Sequence, residues 1–281
     1  MGRAVSPAAG IRARLKTWAA AANRAIDDKG YVRSLDDNFF EPLSACTLAE
    51  LAQGDGAELG GDGVVGKIQA LHSSAALACN LFDYWRGRDT TLLAIALGTP
   101  GRFCSMQFEA KFPTGLRGKA PNLDLLLGKS DGGHLAVESK FLEPYGGAQP
   151  KPFKEKYFPD GDGLWERAGL PRAELVARRL RDNPGQYRYL DAQQLLKHLL
   201  GLGKGSGALS LLYLWFDAGG EAGREHAAEI SSFLTDLDGL RVPLSAMTYQ
   251  ALYQNLSEGG GLEHRAYLEY LGGRYFGAVG A

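Results

Sequence analysis

In the run HLAVESKF a carboxylate and an ammonium, Glu138 and Lys140, stand two residues apart in an otherwise largely apolar stretch. Side chains along a strand alternate between faces, so the two charges share one face, while Leu135, Val137, Ser139 and Phe141 take the other. A second acid, Asp124, lies fourteen residues earlier among the leucines of PNLDLLLG. An aspartate inside an apolar run needs a partner or a cation to offset its desolvation. With KSDGG as the turn, the two runs pair as a hairpin that sets Asp124 beside Glu138. Two carboxylates and one amine then meet on one sheet face, and a hard divalent cation such as Mg2+ relieves the repulsion between the acids. The competing reading is a half-exposed Glu138–Lys140 pair at a strand end with Asp124 capping a turn; it leaves the apolar setting of Asp124 unexplained.

Around this hairpin the periodicity predicts the following elements. Helical pieces are expected at about 11–27 and 46–53, then a glycine-rich stretch at 54–66. An amphipathic helix follows, with Ile68, Leu71, Ala75, Ala78, Phe82 and Trp85 on its apolar face. RFCSMQFEAKF, NLDLLLG and HLAVESKF are then three strands of a meander. Residues 144–184, rich in proline and charge, read as an insertion or a lid. QYRYLDAQQLLKHLLGL gives a helix with Leu195, Leu196, Leu199 and Leu200 on one face, and ALSLLYLWF a central strand. A helix (EHAAEISSFLTDL), a strand (LSAMTYQALY) and a last helix (EHRAYLEYL) complete the order. The expected class is α/β: a core domain over 54–281, with a helical extension over 1–53.

The pattern Pro121, Asp124, Glu138-x-Lys140, set on helix, three-strand meander, helix and strand, resembles the PD-(D/E)XK, or restriction-endonuclease-like, nuclease superfamily over about residues 54–217, less the 144–184 segment. One departure is that the acid follows Pro121 by three residues and not directly. ESKFLEPY, HSSAALACNLFDYW and YLDAQQLLKH further resemble an uncharacterised bacterial family of restriction endonucleases within it. The resemblance implies that Asp124, Glu138 and the backbone carbonyl of Ser139 bind Mg2+, with Mn2+ able to substitute. It implies that Lys140 orients or helps deprotonate the attacking water and stabilises developing charge in phosphodiester hydrolysis, with DNA the expected substrate and restriction or defence the expected setting. Such nucleases add a glutamate, for which Glu58 is the choice and Glu109 the alternative, and a glutamine from the later helix, for which Gln194, one turn from His198, fits. The alternative function is a nucleic-acid-binding or assembly protein that keeps the nuclease fold with weak or no activity. A homodimer is compatible with either.

For phosphate contact, Lys111, Arg117 and Lys119 precede Asp124, and Lys151, Lys154, Arg178 and Arg179 lie in the 144–184 segment, with Phe153 and Tyr157 as candidate base-stacking aromatics. The formal net charge of 281 residues is -1, so nucleic-acid contact has to come from such a local patch. His72, Ser73 and Ser74 lack the G-x-S-x-G elbow of a hydrolase, and there is no phosphate loop, zinc finger or dinucleotide fingerprint. Cys46, Cys79 and Cys104 have no metal-site spacing and read as buried thiols in a reducing cytoplasm. No run is apolar enough for a membrane span.

Overall fold

The computed structural model describes residues 6–54, 56–61, 63–147, 152–159 and 163–277. Its chain runs α1 (Pro7–Ala21), α2 (Ala45–Gln53), a short ladder of β1 (Gly60–Gly61) with β2 (Val64–Val65), α3 (Ser74–Phe82), α4 (Thr91–Ala96), β3 (Phe103–Lys111), β4 (Asn122–Lys129) and β5 (His134–Lys140). It continues through α5 (Leu164–Arg167), α6 (Pro171–Asp182), α7 (Ala192–Lys204), β6 (Leu209–Trp215), α8 (Gly220–Asp236), β7 (Leu244–Thr248), α9 (Tyr249–Gly259) and α10 (Arg265–Leu271). The sheet order is β3-β4-β5-β6-β7. The first three strands form the antiparallel meander, and β5, β6 and β7 run parallel, as helical crossovers require.

Alternation along the strands divides the interior into two cores. Leu125, Leu127, Leu135, Val137, Leu212 and Leu214 face a core shared with α1, α3, α4, α9 and α10. Ala136, Leu211, Tyr213 and Trp215 face a second core shared with α5, α6, α7 and α8. The first core takes in Ile11, Leu15 and Ala19 of α1, and the second takes in Trp165, Val176 and Leu180 from the 144–184 segment. That segment therefore contributes a packed wall. α7 lies close to the loop after β3 because Gly201 has no side chain; a Cβ there would run into the Phe112 carbonyl oxygen.

Three sequence expectations change. The long helix read from Ile68 to Trp85 is α3 alone, flanked by 3-10 turns, because Ser73 caps it by accepting a hydrogen bond from the Ala76 N–H. α3 is also buried on all sides and not amphipathic, lying between the sheet and the terminal helices. The strand expected over LSAMTYQALY stops at Thr248, whose hydroxyl accepts from the Ala251 N–H and starts α9, with Tyr249, Leu252 and Leu256 at helical spacing into the core. Of the cysteines only Cys79 is buried; Cys46 and Cys104 are exposed, and all three are free thiols.

Beside α2 and α3 a compact charged network ties the first core together. Asp83 Oδ1 accepts from the hydroxyls of Ser44 (2.9 Å) and Thr47 (2.6 Å) and from Arg86 Nε (3.0 Å), while its Oδ2 accepts from the Ser44 N–H (2.8 Å). Arg86 also donates to Glu50 Oε2 (2.5 Å) and to the Met106 carbonyl (2.9 Å), and Glu50 Oε2 accepts from the Phe108 N–H (2.8 Å). No helix among the described residues is long and apolar enough to cross a membrane.

Candidate active site

The β4–β5 ladder runs from Gly128 opposite His134 to Leu125 opposite Val137, and Asp124 and Glu138 stand one step beyond its last pair. There the strands are tied by a side chain: Asp124 Oδ2 accepts from the Ser139 N–H at 2.6 Å. Glu138 and Lys140 share a face as their spacing requires, with Lys140 Nζ 2.5 Å from Glu138 Oε1. Ser139 takes the other face, its hydroxyl 2.6 Å from that of Tyr249. The acid is 1% exposed and the lysine 14%, so the pair is buried and not the half-exposed surface pair that sequence left open.

A break in alternation places Asp124. Phe108 and its partner Leu125 belong to the first core, whereas Ala110 and its partner Leu123 belong to the second. Between them lie Glu109 and Asp124, and Glu109 has a left-handed φ of 54°, a conformation that side chains other than glycine adopt at a cost. The two strands therefore turn over together at the position of the acid.

The charges in this corner are not balanced one against one. Burial, then the like charge of Glu138, push Asp124 well above the ordinary carboxylate range, against the pull of Lys140 and the Ser139 N–H. Burial acts on Glu138 in the same direction, but Lys140 and His198 outweigh it and hold this acid at about 2. Burial would lower Lys140; Glu138, Asp124 and Glu143 outweigh it, so its ammonium is held above the usual lysine range. Lys140 is therefore a fixed positive charge here, and a base only when other positive charge offsets the acids.

Of the two further glutamates, Glu109 belongs to the field felt by Asp124 and receives a hydrogen bond from the Asn122 amide at 2.8 Å. Glu58 lies in the turn before β1 and is raised by burial, with Lys67 opposing and Glu109 and Glu143 adding. Both acids thus border the site.

His198 was legible only as a neighbour of Gln194. On α7 it is 1% exposed, and its Nε2 stands 2.9 Å from Glu138 Oε2. The oxygen lies off the axis of the ring nitrogen, so neither atom has a hydrogen-bond partner; nor does His198 Nδ1. Glu143, which accepts from the Phe141 N–H at 2.8 Å, was also missed. Its signal was its place three residues after Lys140, just past the strand end.

A cleft of about 440 Å3 opens beside this corner, lined by Lys140, Glu143 and Tyr213 together with Gln194 and Lys197 of α7. Asp191 caps α7 by accepting from the Gln194 N–H at 2.9 Å, which fixes Gln194 at the rim. Lys197, lowered by burial and by Lys154 and Lys156 against Asp191, lies over the rings of Phe153 and Tyr157. Those rings are in the second core, 3% and 8% exposed, so the expectation that they stack on bases does not hold: they pack under Lys197 instead. Lys111, Arg117, Lys119 and Lys154 are exposed, and Lys156 donates to the Arg117 carbonyl at 2.6 Å, joining the two basic loops. Lys151 lies outside the described residues. Arg178 and Arg179 are engaged by Glu174 and Asp236. Asp124 and Glu138 do not line the cleft; they lie behind Lys140.

Asp124, Glu138 and the Ser139 carbonyl are hard oxygen donors, and Glu138 Oε2 is a buried carboxylate oxygen without a hydrogen bond, a chemistry that fits a divalent cation. Among the described residues no three His, Cys, Asp or Glu side chains are already grouped around one ion position. Asp124 Oδ2 is turned to Ser139, so this acid has to present its other oxygen or rotate.

Residues 12–276 match the protein family described as restriction endonuclease associating with ARP, and the chain belongs to that family. No curated protein and no solved structure matches it.

Proposed function

We propose that this restriction-endonuclease family member is a divalent-cation-dependent nuclease that hydrolyses phosphodiester bonds of DNA, in a restriction or defence role in the cytoplasm, with the restriction-endonuclease-like core formed by α3, β3–β5, α7 and β6. The observation that carries the reading is the Lys140–Glu138 pair with Asp124 tied to the Ser139 N–H beside it, at the wall of a cleft that Lys197 and Arg188 also line. A structural ion pair has no need of a second, destabilised acid.

Asp124, Glu138 and the Ser139 carbonyl would hold Mg2+ or Mn2+, which when bound supplies Lewis-acid stabilisation of charge on the phosphate. Lys140 adds a fixed ammonium on the cleft side of the acids, where charge develops on the phosphoryl oxygens in the transition state. Gln194, which lines the same cleft, orients the scissile phosphate or its attacking water by hydrogen bonds. Lys111, Arg117, Lys119 and Lys154 track the flanking backbone, as the salt-dependent part of binding. The family's description also names an association with ARP, which gives this chain a candidate protein partner.

The test is incubation of the purified chain and its Lys140→Ala variant with DNA and RNA, with Mg2+, Mn2+ or a chelator. Cation-dependent cutting of DNA that is lost in the variant supports the reading. Cutting that is equal in the variant or indifferent to chelator refutes it.

A further inference from the structure

We propose that Lys197, with the side-chain amide of Gln193, forms a subsite for one phosphodiester group of the nucleic-acid backbone in the wall of the cleft that Lys140 also lines. This rests on the nuclease reading for the class of substrate, and goes beyond it in giving two further residues of α7 a phosphate to hold.

The two residues stand one helical turn apart on α7, so they share a face, and both line the cleft. A lysine ammonium carries three N–H donors. Lys197 Nζ spends one of them on Gln193 Oε1, at a long 3.5 Å, and among the described residues no carboxylate forms an ion pair with it. Asp191, whose field reaches it, is turned instead to the Gln194 N–H. The head of Lys197 lies 5.4 Å and 5.8 Å from the ring centres of Phe153 and Tyr157, contacts that hold the charge in place without consuming a donor. Burial and the like charges of Lys154 and Lys156 loosen its hold on its proton, so the group gains from an anion beside it. Turning Oε1 to the lysine leaves Gln193 Nε2 buried with no acceptor. A turn of that amide about its last bonds aims its N–H at an oxygen seated on Nζ. A lysine placed only to cover two aromatic rings needs neither crowding cations nor an idle amide. Glu143 and Asp191 also line the cleft and repel a dianion, so the anion that fits is the singly charged diester of a backbone and not a free or terminal phosphate.

The test is a titration of the full chain, labelled with 15N-glutamine and kept in chelator so that nothing is cut. Dimethyl phosphate, inorganic phosphate and sodium chloride are added in turn at matched ionic strength. The Gln193 side-chain amide signal, assigned by its loss in Gln193→Met, is followed by nuclear magnetic resonance. We expect a saturable shift with dimethyl phosphate, at a midpoint about tenfold below that for inorganic phosphate, and no saturation with chloride. Lys197→Met keeps the stem over the rings and removes the charge; checked for an unchanged melting transition, it should abolish the shift. It should also weaken DNA binding in chelator and reduce the slope of log K against log salt by about 0.9. Because the response is compared between ions on the unmutated chain, a variant that fails to fold leaves the test intact. No saturable shift with dimethyl phosphate, or one that persists in folded Lys197→Met, overturns the inference. So does saturation by inorganic phosphate at an equal or lower midpoint, which would make this a site for free phosphate. A chain that takes the diester here and cuts no DNA overturns the nuclease reading and leaves the subsite standing.

Discussion

Two clusters of buried charge lie on opposite sides of β3, and they are built to different rules. Around Arg86 every charge meets donors or acceptors: Asp83 has four hydrogen bonds, and Glu50 joins the guanidinium to the β3 backbone. Around Lys140 one acid is paired, a second is tied to the backbone beside it, and a carboxylate oxygen and an imidazole nitrogen meet at 2.9 Å outside hydrogen-bond geometry, with the other ring nitrogen left without a partner. A buried polar network that only holds a fold satisfies its members, because each orphan costs stability. Orphans gathered in one corner beside a cleft are groups that await something from outside the chain. The difference supports the proposed functional role of the second cluster without reference to any motif.

The sharpest way to break this contrast is to remove the central cation of each cluster. Arg86→Ala leaves Asp83 buried and Glu50 partly buried without their counterion and should lower the unfolding free energy by about 3 kcal/mol, measured by denaturant titration, with the cleavage rate of the folded fraction unchanged. Lys140→Ala should lower the single-turnover cleavage rate at least about a hundredfold while DNA affinity in a binding assay stays nearly constant. If the two variants exchanged phenotypes, the assignment of roles would be inverted.

Asp124→Asn is the finer test. The folded protein pushes the carboxyl of Asp124 upward, so it binds its proton more tightly than the unfolded chain does. The resulting penalty is absent below the ordinary carboxylate value of about 4 and grows as pH rises from there toward the raised value. Removing the charge should therefore raise the melting temperature of the cation-free protein near neutrality by a few degrees, roughly 1 kcal/mol in stability. The gain over the parent should shrink as pH is lowered toward about 4 in a series of thermal scans. A loss of stability instead would make Asp124 a structural acceptor for the Ser139 N–H. The smallest expected effect belongs to the exposed basic loops: Lys154→Ala should weaken DNA binding modestly and reduce the slope of log K against log salt by about 0.9, with the rate at saturation unchanged.

The sequence disclosed this site where chemistry is local. Glu138 and Lys140 were legible from a period of two, and Asp124 from its clash with an apolar run, because one hairpin holds all three. His198 was not, since its contact with Glu138 depends on how α7 lies across the sheet, and no spacing encodes that. The stop of β7 at Thr248 was written in a capping hydroxyl, but the apolar run around it reads equally well as a strand. Phe153 and Tyr157 show the opposite failure: aromatics among lysines look like a base-stacking surface until the second core claims them.

The reversal of faces at Glu109 and Asp124 makes this corner a product of both cores. Leu125 is anchored in one core and Leu123 in the other, so Asp124 stands at the seam between them, while His198 and Lys197 come from α7, which packs in the second core. The meander alone supplies Asp124, Glu138 and Lys140 but not the α7 side chains His198 and Lys197. A variant that loosens either core should therefore disturb the proposed site even where the altered side chain lies far from it.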